Sequence, residues 1–165
     1  MKPIDFVKKY KFAAIMAESR TGLSWKANLA QAALETGWGE HAPGNNMFGV
    51  KDSDGINGNE QLLTTTEYSK SKTLKFPQIL SIVWDATKKL WKYRVKDYFR
   101  KYDDPSEVFT EHANWFASRK IYAKAWAVRS SPYLFFDEIA KAGYATAPNY
   151  AESLKKVCRI IEGVR

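Results

Sequence analysis

Cysteine is nearly absent from this chain. The single residue, Cys158, excludes an internal disulfide, so the fold does not depend on an oxidising compartment. Two histidines, His41 and His112, are too few to build a metal cluster with one thiol. Apolar runs stay far below the roughly 20 residues that a membrane-spanning helix needs, so no stable membrane insertion is expected. The first residues, MKPIDFVKKYKFAAIMAES, carry scattered charges and lack the apolar core and small-residue cleavage site of a secretory signal. Internal repeats, low-complexity tracts and nucleic-acid-binding motifs are also missing. The basic residues are spread along the whole chain rather than clustered, so a nucleic-acid partner is not expected.

What is present is charge of one sign and a large stock of rings. The 165 residues include 26 Lys+Arg against 18 Asp+Glu, a formal net charge of +8, and aromatics make up 15%. A 45% hydrophobic content excludes intrinsic disorder, and a chain of this length buries about 70% of its unfolded surface. The expectation is one domain over residues 1–165, acting as a monomer, with an anionic partner.

Helix signals open the chain. Pro3 suits a first turn, and Phe6, Tyr10, Ala13, Ala14 and Ala17 recur at helical spacing until Gly22. Ser24 stands where an N-cap belongs before the Ala-rich run WKANLAQAALE, which must end at Thr36-Gly37-Trp38-Gly39. From about residue 46 to 100 the character changes to a small β lobe. MFGVK, QLLTTTEY and TLKFPQILSIV read as strands, with Ser69-Lys70-Ser71 as a hairpin tip. Trp91, Tyr93 and Val95 alternate with Lys92, Arg94 and Lys96, which reads as extended, with a helix over 85–91 as the alternative. Helix returns at Asp104-Pro105-Ser106-Glu107, a capping box, then after Ser131-Pro132 and after Pro148-Asn149. The fold class is α+β, mainly helical, with the sheet segregated.

Glu35, in ALETGWG, is oddly placed at a helix C-terminus, which favours cations. Desolvation by Leu34 and Trp38 together with the helix dipole would raise its pKa, as a general acid requires. The plainer alternative is an exposed glutamate near a helix end. In NNMFGVK, paired amides beside a ring suit sugar recognition, with an ordinary Asx-turn as the alternative.

Five segments in order, ALETGWG, NNMFGVK, TTTEY, YFRKY and AGYATAPNYAESL, resemble glycoside hydrolase family 73 from about Ser24 to Leu154. The resemblance implies a lysozyme-like α+β fold and endo-β-N-acetylglucosaminidase activity on bacterial peptidoglycan, with no cofactor or metal. It implies Glu35 as catalytic acid, Glu67 of the TTTEY segment as second carboxylate, and Tyr144 at the site. Glycoside hydrolysis needs such a carboxyl pair, and Glu60, Asp52 and Asp54 are rivals for the second place. The alternative for Glu67 is a cross-strand lysine partner. Trp38, Asn46, Phe48 and Tyr122 are candidate substrate contacts. The sequence departs from the family pattern in Ala147, where an acidic residue is usual, and in a longer stretch over 70–98. The expected role is that of a phage endolysin made in the cytoplasm and released through a holin. N-acetylmuramidase activity and a non-catalytic wall-binding module are the alternatives.

Overall fold

Six α-helices and three β-strands build the computed structural model, which describes residues 1–164. Arg165, the last residue of the expected domain, lies outside the described residues. Helices α1 (Pro3–Thr21) and α2 (Trp25–Thr36) precede strands β1 (Glu60–Ser69), β2 (Gln78–Asp85) and β3 (Leu90–Arg100). Helices α3 (Pro105–Ala117), α4 (Ala123–Ala127), α5 (Pro132–Lys141) and α6 (Tyr150–Gly163) complete the chain. Among the described residues no helix is long and apolar enough to cross a membrane. The chain divides into two compact units: a helical unit, Met1–Phe48 with Tyr102 onward, and a β unit, Gly49–Lys101.

In the helical unit, α2 is the central element. Ala27, Ala30, Ala32 and Ala33 are buried, and these small side chains let α1, α3, α5 and α6 pack around it. Larger residues fill the layers outside: Phe6 and Tyr10 of α1, Phe109 and Phe116 of α3, Phe135, Phe136 and Ile139 of α5, Leu154 and Ile161 of α6. The helix ends are those the sequence marks. Gly22 and Gly37 close α1 and α2 in the left-handed conformation, and the Asp104 carboxylate accepts from the Ser106 backbone N–H at the start of α3. Helix α4 escapes sequence reading because five residues are too few to show a period.

A buried polar chain crosses this core. Asn28 donates from Nδ2 to the Phe109 carbonyl (2.9 Å), and its Oδ1 accepts from His112 Nδ1 (2.8 Å). Phe48 stacks on the other side of the imidazole at 3.6 Å. Burial pushes the His112 pKa down to about 3. The unfolded chain takes up this proton near pH 6.5 and the folded chain only near 3, so stability is lost as pH falls through that window. The urea midpoint is expected to drop between about pH 6 and pH 4, and more shallowly in a His112→Gln variant. Equal slopes for the two proteins would show that another group governs the acid limb.

The β unit is an antiparallel sheet of order β1-β3-β2, with β3 at its centre. The alternation expected over 91–96 is present: Tyr93 and Val95 are buried, Lys92 and Arg94 exposed. Four readings are corrected. Ser69–Ser71 is not a hairpin tip, since β1 pairs with β3; the tip lies at 86–89 between β2 and β3. Residues 70–77 instead run over the sheet. There the Tyr93 hydroxyl donates to the Ser71 carbonyl (2.8 Å) and Phe76 packs on the Tyr93 ring, so TLKF forms no strand. The region 85–91 is turn and strand rather than helix. MFGVK shrinks to a single bridge, Lys51 to Phe99, because Gly49 bends the chain into the left-handed region (φ 62°).

Candidate active site

Glu35 occupies the last turn of α2, and the turn that follows is tightly specified. Gly37, Trp38 and Gly39 all have positive φ, and a Cβ on Gly39 would come within 3.0 Å of the Phe6 ring. Trp38 tolerates its left-handed backbone (φ 60°) while its indole meets Phe6 edge-on at 5.8 Å. Thr36 locks the turn, donating from Oγ1 to the Ala32 carbonyl and accepting from the Gly39 N–H. The buried helix and this turn fix where the Glu35 backbone lies. Its side chain is exposed, and Leu34 and Trp38 are turned against the core rather than over the carboxylate. The desolvating sheath expected from those two residues is therefore not formed.

Tyrosines stand beside Glu35 instead. The Tyr150 hydroxyl donates to Glu35 Oε1 at 3.2 Å and accepts from Gln31 Nε2 at 3.4 Å. Gln31 is itself fully buried one turn earlier on α2, and its Oε1 has no protein partner. Tyr144 stacks on Tyr150 with centroids 5.5 Å apart, and it is backed by Phe116, Trp115 and Tyr122 at 5.4–6.1 Å. The Tyr144 phenol is pushed well above its ordinary pKa, first by burial, then by the Glu35 and Tyr122 charges. Burial likewise raises Tyr150. Both hydroxyls therefore stay protonated donors across the neutral and mildly alkaline range.

The other expected residues of the helical unit sit close to the core. Tyr122 is buried in the same aromatic cluster, against Trp115 and Phe116. Asn46 is buried, and Phe48 gives one ring face to His112. Asn45 is committed to structure, donating from Nδ2 to the Tyr102 carbonyl (2.8 Å).

Within the β unit, Glu67 lies on β1 opposite Tyr93 and forms an ion pair with Lys51 (2.9 Å), which also holds Asp97 (2.9 Å). The lysine partner weighed from the sequence thus exists, though on the segment bridged to β3 rather than in a strand. Burial works against the Lys51 charge, but its hydrogen bonds to Asp97 and Glu67 outweigh it, so its pKa is raised. The rival acids are held by local partners in the β unit. Glu60 accepts from the N–H groups of Asn57 and Gly58, Asp52 from that of Gly55, and Asp54 pairs with Arg100.

Sequence reasoning missed Tyr150, Gln31, Lys51 and Asp97. All four lie in or beside segments already singled out. Tyr150 opens a helix after Pro148-Asn149, a position that faces back onto α2 only once α6 is packed there.

Compared with solved structures, the chain is similar to the glycoside hydrolase domain of FlgJ from Salmonella typhimurium. The two share 27% identity with a TM-score of 0.72, over 98% of this chain and 89% of that one. The fold is thus lysozyme-like α+β, and the protein is a glycoside hydrolase. Residues 11–162 match the glucosaminidase family, described as mannosyl-glycoprotein endo-beta-N-acetylglucosaminidase, and the chain belongs to this family, glycoside hydrolase family 73. Among curated relatives it is similar to the peptidoglycan hydrolases FlgJ of Pseudomonas aeruginosa and Vibrio cholerae. Identity is 28% over 162 residues in the first (94% of this chain, 36% of the relative) and 30% over 159 in the second (93% and 42%). The chain spans less than half the length of these relatives.

Proposed function

We propose that the protein is an endo-β-N-acetylglucosaminidase that hydrolyses the β-1,4 bond after N-acetylglucosamine in peptidoglycan glycan strands. One observation carries this reading: Glu35, delivered by the end of the buried helix α2, has one carboxyl oxygen held by the Tyr150 hydroxyl. With Oε1 accepting that hydrogen bond, Oε2 is left to carry a proton to the glycosidic oxygen. Names of relatives that act on peptidoglycan add support for the substrate.

The roles follow from the chemistry. Glu35 protonates the leaving oxygen as the bond to the anomeric carbon breaks. Glu67 is the second carboxylate, taking a proton from the attacking water or stabilising the oxocarbenium-like transition state. Tyr150 is a positioning residue. Tyr144, a neutral phenol beside Glu35, orients the sugar by hydrogen bonding. Trp38 and Phe48, each half-buried, supply ring surface to the sugar, and the buried Tyr122 and Asn46 support the substrate site from behind. The protein acts as a monomer.

Mass spectrometry of digested muropeptides tests the bond. Fragments ending in reducing N-acetylglucosamine are expected, whereas reducing N-acetylmuramic acid would make the enzyme a muramidase. The biological role we assign is that of a phage endolysin, supported by the +8 charge, which suits rapid capture by an anionic wall. Protein found in the medium of holin-less cells before lysis would overturn that role.

A further inference from the structure

The two faces of the β sheet differ in charge. Glu67 and Asp97 lie on the same face as Tyr93 and Val95, with Lys51 bridging them. The opposite face holds three rungs set by the strand register: Thr64–Lys96–Gln78, Thr66–Arg94–Ser81 and Tyr68–Lys92–Val83. Each rung has a cation on the central strand. Hydroxyl or amide groups flank two of them, and Tyr68 and Val83 flank the third. Alternate residues on a strand stand about 6.8 Å apart, so Lys92, Arg94 and Lys96 form a straight row of evenly spaced charges.

Among the described residues, none of these three cations forms an ion pair, and Arg94 donates to Thr66 Oγ1 (3.1 Å). The acids at the two ends of the face are occupied. Glu60 accepts from the N–H groups of Asn57 and Gly58, and Asp85 from those of Thr87 and Lys88. The cation on the third rung has a neighbour in Lys88, whose ammonium sits 3.6 Å above the Tyr68 ring. Lys92, Arg94, Thr64 and Ser81 are exposed.

We propose that this face binds a linear phosphodiester polymer of the bacterial wall, a polyol-phosphate chain laid along β3, separately from glycan cleavage. A row of single charges at regular intervals matches a polymer with one anionic phosphodiester per short repeat. The flanking hydroxyls and amide match its polyol oxygens. Single-stranded nucleic acid fits less well, because its bases need aromatic platforms along the track. The track offers two rings far apart, Tyr68, which Lys88 covers, and Tyr98 at the rung beyond Lys96, and none between them on which successive bases could stack. The inference rests on the wall being the substrate.

The test uses the full chain and a K92Q/R94Q/K96Q variant, with R94Q alone as a second variant should the triple change fold poorly. Binding is measured to isolated glycerol-phosphate polymer, to intact walls, and to walls stripped of phosphodiesters by hydrofluoric acid. Loss of about fivefold in affinity per cation removed is expected for polymer and intact walls, with no change on stripped walls. The slope of log affinity against log salt is expected to fall by about 2 in the triple variant, at about 0.7 per lost phosphate contact. Cleavage of soluble glycan fragments should stay at the wild-type rate. Equal polymer binding by variant and wild type would overturn the proposal, as would competition by single-stranded DNA at the same concentrations as the polymer. Because the polymer contains no glycosidic target, this readout stands even if muropeptide analysis overturns the proposed cleavage.

Discussion

Replacing Glu35 by glutamine is expected to lower kcat on wall glycan by about 10²- to 10⁴-fold while the protein stays folded and still sediments with walls. The expectation follows from what the side chain does and does not touch. Its carboxyl group is exposed, and the hydrogen bond from Tyr150 to Oε1 can be accepted equally well by a glutamine amide oxygen. The helix end is held by Thr36 and Gly37 rather than by Glu35. A surface change of this kind alters stability by about 0.5 kcal/mol or less. What is lost is the proton, since an amide donates none to a leaving alkoxide. Turbidity loss of purified walls, measured with the melting temperature and a wall pull-down, separates these effects. Normal lysis by the variant would remove Glu35 from the mechanism, whereas lysis by the wild type that is lost in a variant still bound to walls would separate catalysis from wall binding.

The second large effect is structural. Phe116→Ala is expected to cost about 3–5 kcal/mol, a major share of the 5–15 kcal/mol available to a single domain. Phe116 is fully buried and its ring meets those of His112, Trp115, Tyr122, Phe135 and Tyr144 at 5.0–5.4 Å. Truncation removes the common neighbour of a packed layer that cannot collapse without moving the phenol beside Glu35. The melting temperature should fall by roughly 6–20 °C. Residual activity at low temperature should fall as well, because Tyr144 loses the ring behind it. Phe116→Leu, which keeps most of the volume, should recover much of both. A loss below about 1 kcal/mol in Phe116→Ala would show that the layer repacks.

What could be read from the sequence was local. Pro3, Gly22, Gly37 and Asp104 act within one or two turns of themselves, so the helix limits they set are found where expected. The alternation at 91–96 was legible because one face of β3 is buried. The sheet order was not, because it depends on a long-range choice: Tyr93 bonds Ser71 across 22 positions and draws the 70–77 connector over the sheet. The site divides in the same way. Glu35 stands out within seven residues, whereas its partner Tyr150 is 115 positions away. The pairing of Lys51 with Glu67 and Asp97 likewise requires the strand register. The expected cover over Glu35 failed for a physical reason. Trp38 enters a left-handed turn that aims its ring at Phe6, and no spacing rule encodes that.

Cys158 lies fully buried in α6, with its thiol pKa pushed up to about 11 by burial. At neutral pH it is therefore almost entirely protonated and slow to react. One cysteine introduced at an exposed position becomes the only site open to a maleimide dye, with no need to edit the native chain. Individual enzyme molecules can then be followed on living cell surfaces, and dwell time on the wall measured apart from bond cleavage.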